Sequence, residues 1–265
     1  YKDAIDRSAL LISEATKAGD LYHAFLGYDL LGIVYLEIRD TLQAEVNYKK
    51  AYEIAIQTKS DSLLSWSYGN LGNIYSESDA TFQKGIDYYK KSIAINDSIG
   101  DSKQNLSPYL NIGWTYIDQK KYDLALPFLL KAKSLIDEDP EDLLGQIEIK
   151  TLLGRYYIEK EKLTLAEEFL TEAREIAESQ GYVVEGVEVY EHLTALYERQ
   201  SNFEKAFESL KKAQVLNEQQ YASEKVAETQ IASARFNLEQ YERDLESARM
   251  EQAYSDEIIH KSKQL

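Results

Sequence analysis

The side chains best suited to proton transfer or metal ligation near neutral pH are three histidines, His23, His192 and His260. They lie far apart in sequence and share no ligand spacing, so neither a metal site nor a catalytic base with a partner is expected from them. His260 stands in Ile259-His260-Lys261-Ser262. Those flanks are not the box that surrounds a phosphoacceptor histidine, and the residue reads as solvated. Paired carboxylates such as Glu167 and Glu168 could share acid and base roles, but in so acidic a chain they read as a water-facing surface. No phosphate-cradling glycine loop, His-Glu-x-x-His or nucleophile elbow occurs, and with 0 Cys there is no thiol nucleophile, disulfide or Cys-ligated zinc. An enzyme, a cofactor and a bound metal are therefore not expected.

Composition narrows the partners. Acidic residues outnumber basic ones by 46 to 30 over 265 residues, a formal charge of −16, and no run of Lys or Arg exceeds two. Nucleic acid is not an expected partner, nor is direct membrane contact within these residues. No apolar run approaches the ~20 residues of a membrane span, and no signal peptide is present. Because the sequence opens at Tyr1, inside what already reads as a helix, it is expected to be a piece of a longer protein. With 12 Gly and only 3 Pro, helix is the default expectation.

The elements that would position any site announce themselves by repetition. Gly32-Ile33-Val34-Tyr35, Gly72-Asn73-Ile74-Tyr75, Gly113-Trp114-Thr115-Tyr116, Gly154-Arg155-Tyr156-Tyr157 and Thr194-Ala195-Leu196-Tyr197 follow one another at steps of 40, 41, 41 and 40 residues. Twelve residues after four of these small residues comes Ala44, Ala125, Ala166 or Ala206, with Gly85 one residue late in the second repeat. Seven further on stand Ala51, Ala132, Ala173 and Ala213, with Ser92 in the second. Between the members of each pair sits a large residue: Tyr48, Tyr89, Leu129, Leu170 or Leu210. Small-then-large spacing is what two antiparallel helices need to cross closely, since Gly or Ala admits the neighbouring backbone and the large side chain fills the adjacent gap. Turn chemistry falls between the helices, at Lys59-Ser60-Asp61, Gly100-Asp101-Ser102, Asp137 to Pro140 and Ser179-Gln180-Gly181, and at the polar stretches 37–40, 119–121, 159–162 and 199–202.

In its small residue, Tyr, Ala, aromatic and Ala, this pattern resembles the tetratricopeptide repeat (TPR) consensus over about residues 24–220. Ala4 and Ser8 in residues 1–17 match a lone second helix. The chain departs from the family in its long period and in lacking the proline after the second helix. The fold implied is all-α: an α-solenoid of about five TPR-like helix pairs over residues 1–220, with an N-terminal half repeat, followed by a long C-terminal helix over 221–265. Longer repeats of this kind are similar to those of bacterial peptide-sensing regulators and signalling scaffolds.

The resemblance implies a concave groove, lined by the first helix of each pair, in which a peptide or protein segment lies. Carried across position by position, its ligand-binding residues are Trp66, Asn70, Asn73, Asn111, Trp114, Arg155, Glu159, His192 and Arg199, with Asp29, Glu37 and Glu191 beside them. An Asn amide both donates to and accepts from an extended peptide backbone, while Trp and Arg supply area and charge. A Lys-rich carboxylate clamp is missing; only Arg155, Arg199 and Lys150 could serve. Most of the 21 tyrosines, including Tyr35, Tyr75, Tyr116, Tyr157 and Tyr197, stand at packing positions.

Beyond Lys212 there is no Gly or Pro to the end of the chain. A step of seven joins Ile231, Leu238, Leu245, Gln252 and Ile259, and a second row joins Ala227, Ala234, Tyr241, Ala248 and Ser255. Such a stripe predicts either a homodimer seam through Ile231, Leu238, Tyr241 and Leu245, or a helix packed back on the array as a cap. The order of parts, repeats then a long helix, resembles the sensory half of bacterial membrane signalling proteins. That resemblance favours the periplasmic face of a membrane-anchored protein.

Overall fold

Asp20, Asp40, Asp142 and Asn202 each turn a side-chain oxygen onto a backbone N–H three residues on, and each opens a helix. Between such starts and the turns that end them, a computed structural model describes residues 1–221 together with Arg243 and Met250. All the regular elements among the described residues are helical. They are α1 (Lys2–Ala18), α2 (Leu21–Glu37), α3 (Thr41–Thr58), α4 (Asp61–Ser76), α5 (Phe82–Ser98), a 3-10 turn (Ser102–Asn105), α6 (Leu106–Asp118), α7 (Tyr122–Glu138), α8 (Leu143–Glu159), α9 (Leu163–Gln180) and α10 (Val183–Arg199). A further helix, α11, runs over 203–221. The expected seam at Ile231, Leu238, Tyr241 and Leu245, and the C-terminal helix over 222–265, lie outside the described residues apart from Arg243 and Met250, both helical.

Two compact bodies are present, the first spanning Tyr1–Ser67 and the second beginning at Tyr68. In the first, α1 buries Ile5, Ser8, Ala9, Ile12 and Ala15 along one stripe and ends in left-handed Gly19 (φ 69°). Ile12 reaches α2 at Gly27, where an added Cβ would lie 2.5 Å from its Cγ1. Phe25 of α2, Ala51 and Ala55 of α3 and Leu63 of α4 form a buried cluster.

In the second body the first helices α6, α8 and α10 contact one another in sequence, α6 and α8 pack on their own second helices α7 and α9, and α10 also packs on α9. The small-and-large pairing is realised atom by atom. A Cβ on Gly72 would stand 2.5 Å from the ring of Tyr89, one on Gly113 2.4 Å from Leu129 Cδ2, and one on Gly154 2.5 Å from Leu170 Cγ. Gly32 and Tyr48 do the same in the first body, at 2.4 Å. Tyr48, Tyr89, Leu129 and Leu170 are 0–2% exposed as a result.

The fifth pair breaks the pattern. Thr194 occupies the glycine position and donates its hydroxyl to Tyr190 O. Leu210, expected as the large residue of that pair, is instead 54% exposed. Ala206 and Ala213 remain buried, at 5% each. Among the repeat tyrosines, Tyr35, Tyr116 and Tyr197 are 4–6% exposed and buried as expected. Tyr75 and Tyr157 are half-buried and stack on Tyr88 and Phe169.

The turns within helix pairs share a feature that polar composition does not reveal. Arg39, Lys120, Glu161 and Ser201 all adopt positive φ, between 54° and 60°. Each lets the next residue's N–H reach back to a carbonyl five positions earlier, as Lys121 N does to Tyr116 O at 2.8 Å.

Candidate functional site: a paired-amide recess

Tyr89 of α5 passes through the gap left by Gly72, and its hydroxyl emerges on the far side. There it donates to Asn73 Oδ1 at 2.8 Å and lies 3.2 Å from Ser76 Oγ. Asn111 of α6 donates its Nδ2 to the same Asn73 oxygen at 3.0 Å. Both lone pairs of that oxygen are thereby occupied. In this arrangement the Tyr89 hydroxyl and the Asn111 amine both donate to the Asn73 carbonyl oxygen. Two groups are left without a protein partner among the described residues, the Nδ2 donor of Asn73 and the Oδ1 acceptor of Asn111.

Both line a recess of about 400 Å³ together with Ser76, Glu77, Tyr89, Trp114, Thr115 and Asp118. Trp114 is 42% exposed, and its Nε1 donates to Asp118 Oδ2 at 2.7 Å, which fixes the indole plane. Arg155 donates to the other Asp118 oxygen at 2.5 Å. Thr115 bonds back to Asn111 O at 2.7 Å, so its hydroxyl is spent on the helix. Burial holds the Tyr89 phenol well above its ordinary pKa, and a nearby Glu77 adds to this. At neutral pH it remains a donor, so the amide pair keeps its orientation.

The other residues expected in the groove are distributed differently. Asn70 is 9% exposed and faces the interior, offering a ligand little. Trp66 lies in the first body, 46% exposed, edge-on to Phe25 with ring centres 5.8 Å apart. Arg155, Glu159 and Arg199 take part in bridges between consecutive repeats. Arg155 meets Asp118, Glu159 accepts from Tyr122 at 3.0 Å, and Arg199 meets Glu161 at 2.5 Å and Glu159 at 3.9 Å. Lys150 likewise pairs with Glu172. These exposed pairs brace the edge and are each worth less than about 1 kcal/mol. His192 stands 3.6 Å from Glu188. Asp29 is buried at 1% exposure.

Sequence reasoning assigned Tyr89 to packing alone and did not single out Ser76 or Asp118. The available signal was the residue type at the slot: Leu129 and Leu170 fill it with hydrocarbon, whereas Tyr89 brings a hydroxyl that must find a partner.

Away from the recess, Glu148 of α8 is pushed up to about 7 from 4.5, first by desolvation and then by the carboxylates of Asp142, Glu185 and Glu188. Its exposed area argues for ready ionisation and the protein crowded around it argues against; three neighbouring carboxylates tip it to the raised side. A raised carboxyl pKa means that the folded chain holds a proton the unfolded chain has lost. Stability should therefore fall as pH rises from about 4.5 to about 7. Replacing Glu148 by Gln should flatten this part of the profile and raise the urea midpoint at pH 8 more than at pH 5. Parallel profiles for the two chains would contradict it.

Among the described residues no three His, Asp or Glu side chains gather to hold a metal ion, and no helix is long and apolar enough to cross a membrane. Comparison with known proteins adds the following. Residues 106–139, the α6 and α7 pair, match the tetratricopeptide repeat family. No curated protein matches the chain. Among solved structures it is similar to BtubC from P. vanneervenii, with 16% identity over 83% of this chain and 91% of that one, and a TM-score of 0.64. It is also similar to a putative kinesin light chain of Podosopora anserina with nearly identical TPR-like repeats, with 16% identity, 79% and 97% coverage and a TM-score of 0.51. Those two likenesses extend an all-α solenoid fold across most of the chain, and within it the α6 and α7 pair is the tetratricopeptide repeat that the family match identifies.

Proposed function

We propose that the second body binds an extended peptide segment of a protein partner in the recess between α4 and α6. Tetratricopeptide repeats are protein-interaction modules; the finer reading rests on one observation. Asn73 and Asn111 bond to each other so that one free donor and one free acceptor remain side by side in the recess. A peptide group presents the complementary acceptor and donor along its own backbone, so the pair binds main chain without regard to sequence. Selectivity comes from Trp114, whose exposed indole offers an apolar platform beside the amides. The order of parts, repeats followed by rows of sevens, supports reading the module as the sensor region of a bacterial signal-transduction protein.

The test is a screen of immobilised peptides followed by calorimetry on the strongest binder. Asn73→Ala with Asn111→Ala should weaken that binder about tenfold or more, two hydrogen bonds being lost, and Trp114→Ala should weaken it comparably. Unaltered affinity in the double variant would move the binding site elsewhere.

A further inference from the structure

Asn73, Trp114 and Arg155 occupy one repeat position in three successive first helices, at steps of 41 residues. Asn73 and Trp114 line the recess, whereas Arg155 does not. Its guanidinium reaches from α8 to the last residue of α6, where Nη2 donates to Asp118 Oδ1 at 2.5 Å. The other Asp118 oxygen accepts from Trp114 Nε1 at 2.7 Å. One carboxylate thus joins the guanidinium of one repeat to the indole of the repeat before it, on helices that contact each other.

Neither bond would do this alone. Trp114 is 42% exposed, and a side chain with that much open space exchanges rotamers in picoseconds to nanoseconds unless it is held. Its single N–H is spent on Asp118, one helical turn on. The Asp118 side chain is itself 45% exposed, and a hydrated carboxylate exchanges one donor for water at little cost. The Arg155 side chain is the more covered of the two, at 25%. A charge-assisted bond from it to the second oxygen fixes the carboxylate plane, and with it the direction of the first oxygen. The bridge from Arg199 to Glu161 joins the next two repeats at the same length, but Ala195 stands where Trp114 would be.

We propose that Arg155 is a positioning residue for the recess: acting through Asp118, it holds the Trp114 indole in place without touching the bound segment. This rests on the peptide reading of the recess. A segment laid on a held indole does not have to immobilise that side chain, a step that would otherwise cost about two- to tenfold in affinity. The recess is completed from the following repeat, so peptide affinity and the contact of α8 with α6 are linked. Whatever draws α8 away loosens the platform, and a bound segment strengthens the contact to the same degree.

Tryptophan fluorescence reads the indole directly. The chain has 2 Trp, so with Trp66→Phe the signal comes from Trp114 alone. In the full chain so altered, its anisotropy should decay only with overall tumbling. Arg155→Ala and Asp118→Ala should each add a subnanosecond phase. Arg155→Lys should add none, because one charged donor suffices for the one bond, and neither should Arg199→Ala. For the strongest binder of the peptide screen, Arg155→Ala should weaken affinity about fivefold when Trp114 is present and less than about twofold in Trp114→Ala. An indole equally mobile with and without Arg155, or a subnanosecond phase from Arg199→Ala, would overturn the proposal. So would an equal loss of affinity in both cases, since Arg155 would then touch the peptide itself. A screen without a binder would remove the peptide reading, while the anisotropy decay would still decide whether Arg155 holds the indole.

Discussion

Replacing Leu170 by Ala should cost about 3 kcal/mol of unfolding free energy, while the same change at Leu210, the matching consensus position one repeat later, should cost less than about 1 kcal/mol. Leu170 is 0% exposed and fills the space opposite Gly154, where even a single added methyl would collide with it at 2.5 Å. Truncation leaves a cavity between two helices that are held apart by their other contacts, so the surroundings cannot collapse to fill it. Leu210 is 54% exposed and leaves no cavity behind. Urea titrations read both values directly. Equal losses would show that the fifth pair packs like the fourth.

The reverse operation at the second pair should be as damaging and should reach the recess as well. Gly72→Val is expected to lose about 3 kcal/mol, at the upper end of overpacking costs. Ordinarily Gly within a helix is worse than other residues by up to about 1 kcal/mol, so only close approach keeps it at this position. Its β-carbon would fall 2.5 Å from two ring atoms of Tyr89, whose ring is 2% exposed and whose hydroxyl is tied to Asn73. The ring cannot retreat without withdrawing that hydroxyl. Asn73 would then be free to turn, and the best binder from the peptide screen should lose affinity together with stability. A variant that unfolds at lower urea yet binds unchanged when folded would separate the slot from the site.

The repeat, the slots and the placement of most tyrosines were legible in the sequence because they depend on residue volume at fixed spacing. Gly113 with Leu129 and Gly154 with Leu170 need no more than that. Hydrogen-bond wiring is of another kind. Whether Asn73 offers its amide to a ligand or spends it within the array depends on Tyr89 and Asn111 arriving within 3.0 Å of one oxygen, from positions 16 and 38 residues away. Arg155 and Arg199 illustrate the same limit: as letters they are free cations, while in the fold each meets a carboxylate from the preceding repeat at 2.5 Å. Asn70 shares its residue type with Asn73 but looks inward, because three residues turn a helix by less than a full circle. Left-handed Arg39, Lys120, Glu161 and Ser201 escaped notice since no glycine marks them.

The slot makes the fit of a helix pair a matter of side-chain volume. Where the first helix of a pair carries glycine, the second helix swallows its own large residue and shows its neighbours a smooth flank. Where it carries threonine, as at Thr194, the large residue of the second helix, Leu210, stands 54% exposed. The threonine side chain brings three heavy atoms where glycine brings none, so one letter in the first helix marks whether the large residue of its partner helix is hidden or shown.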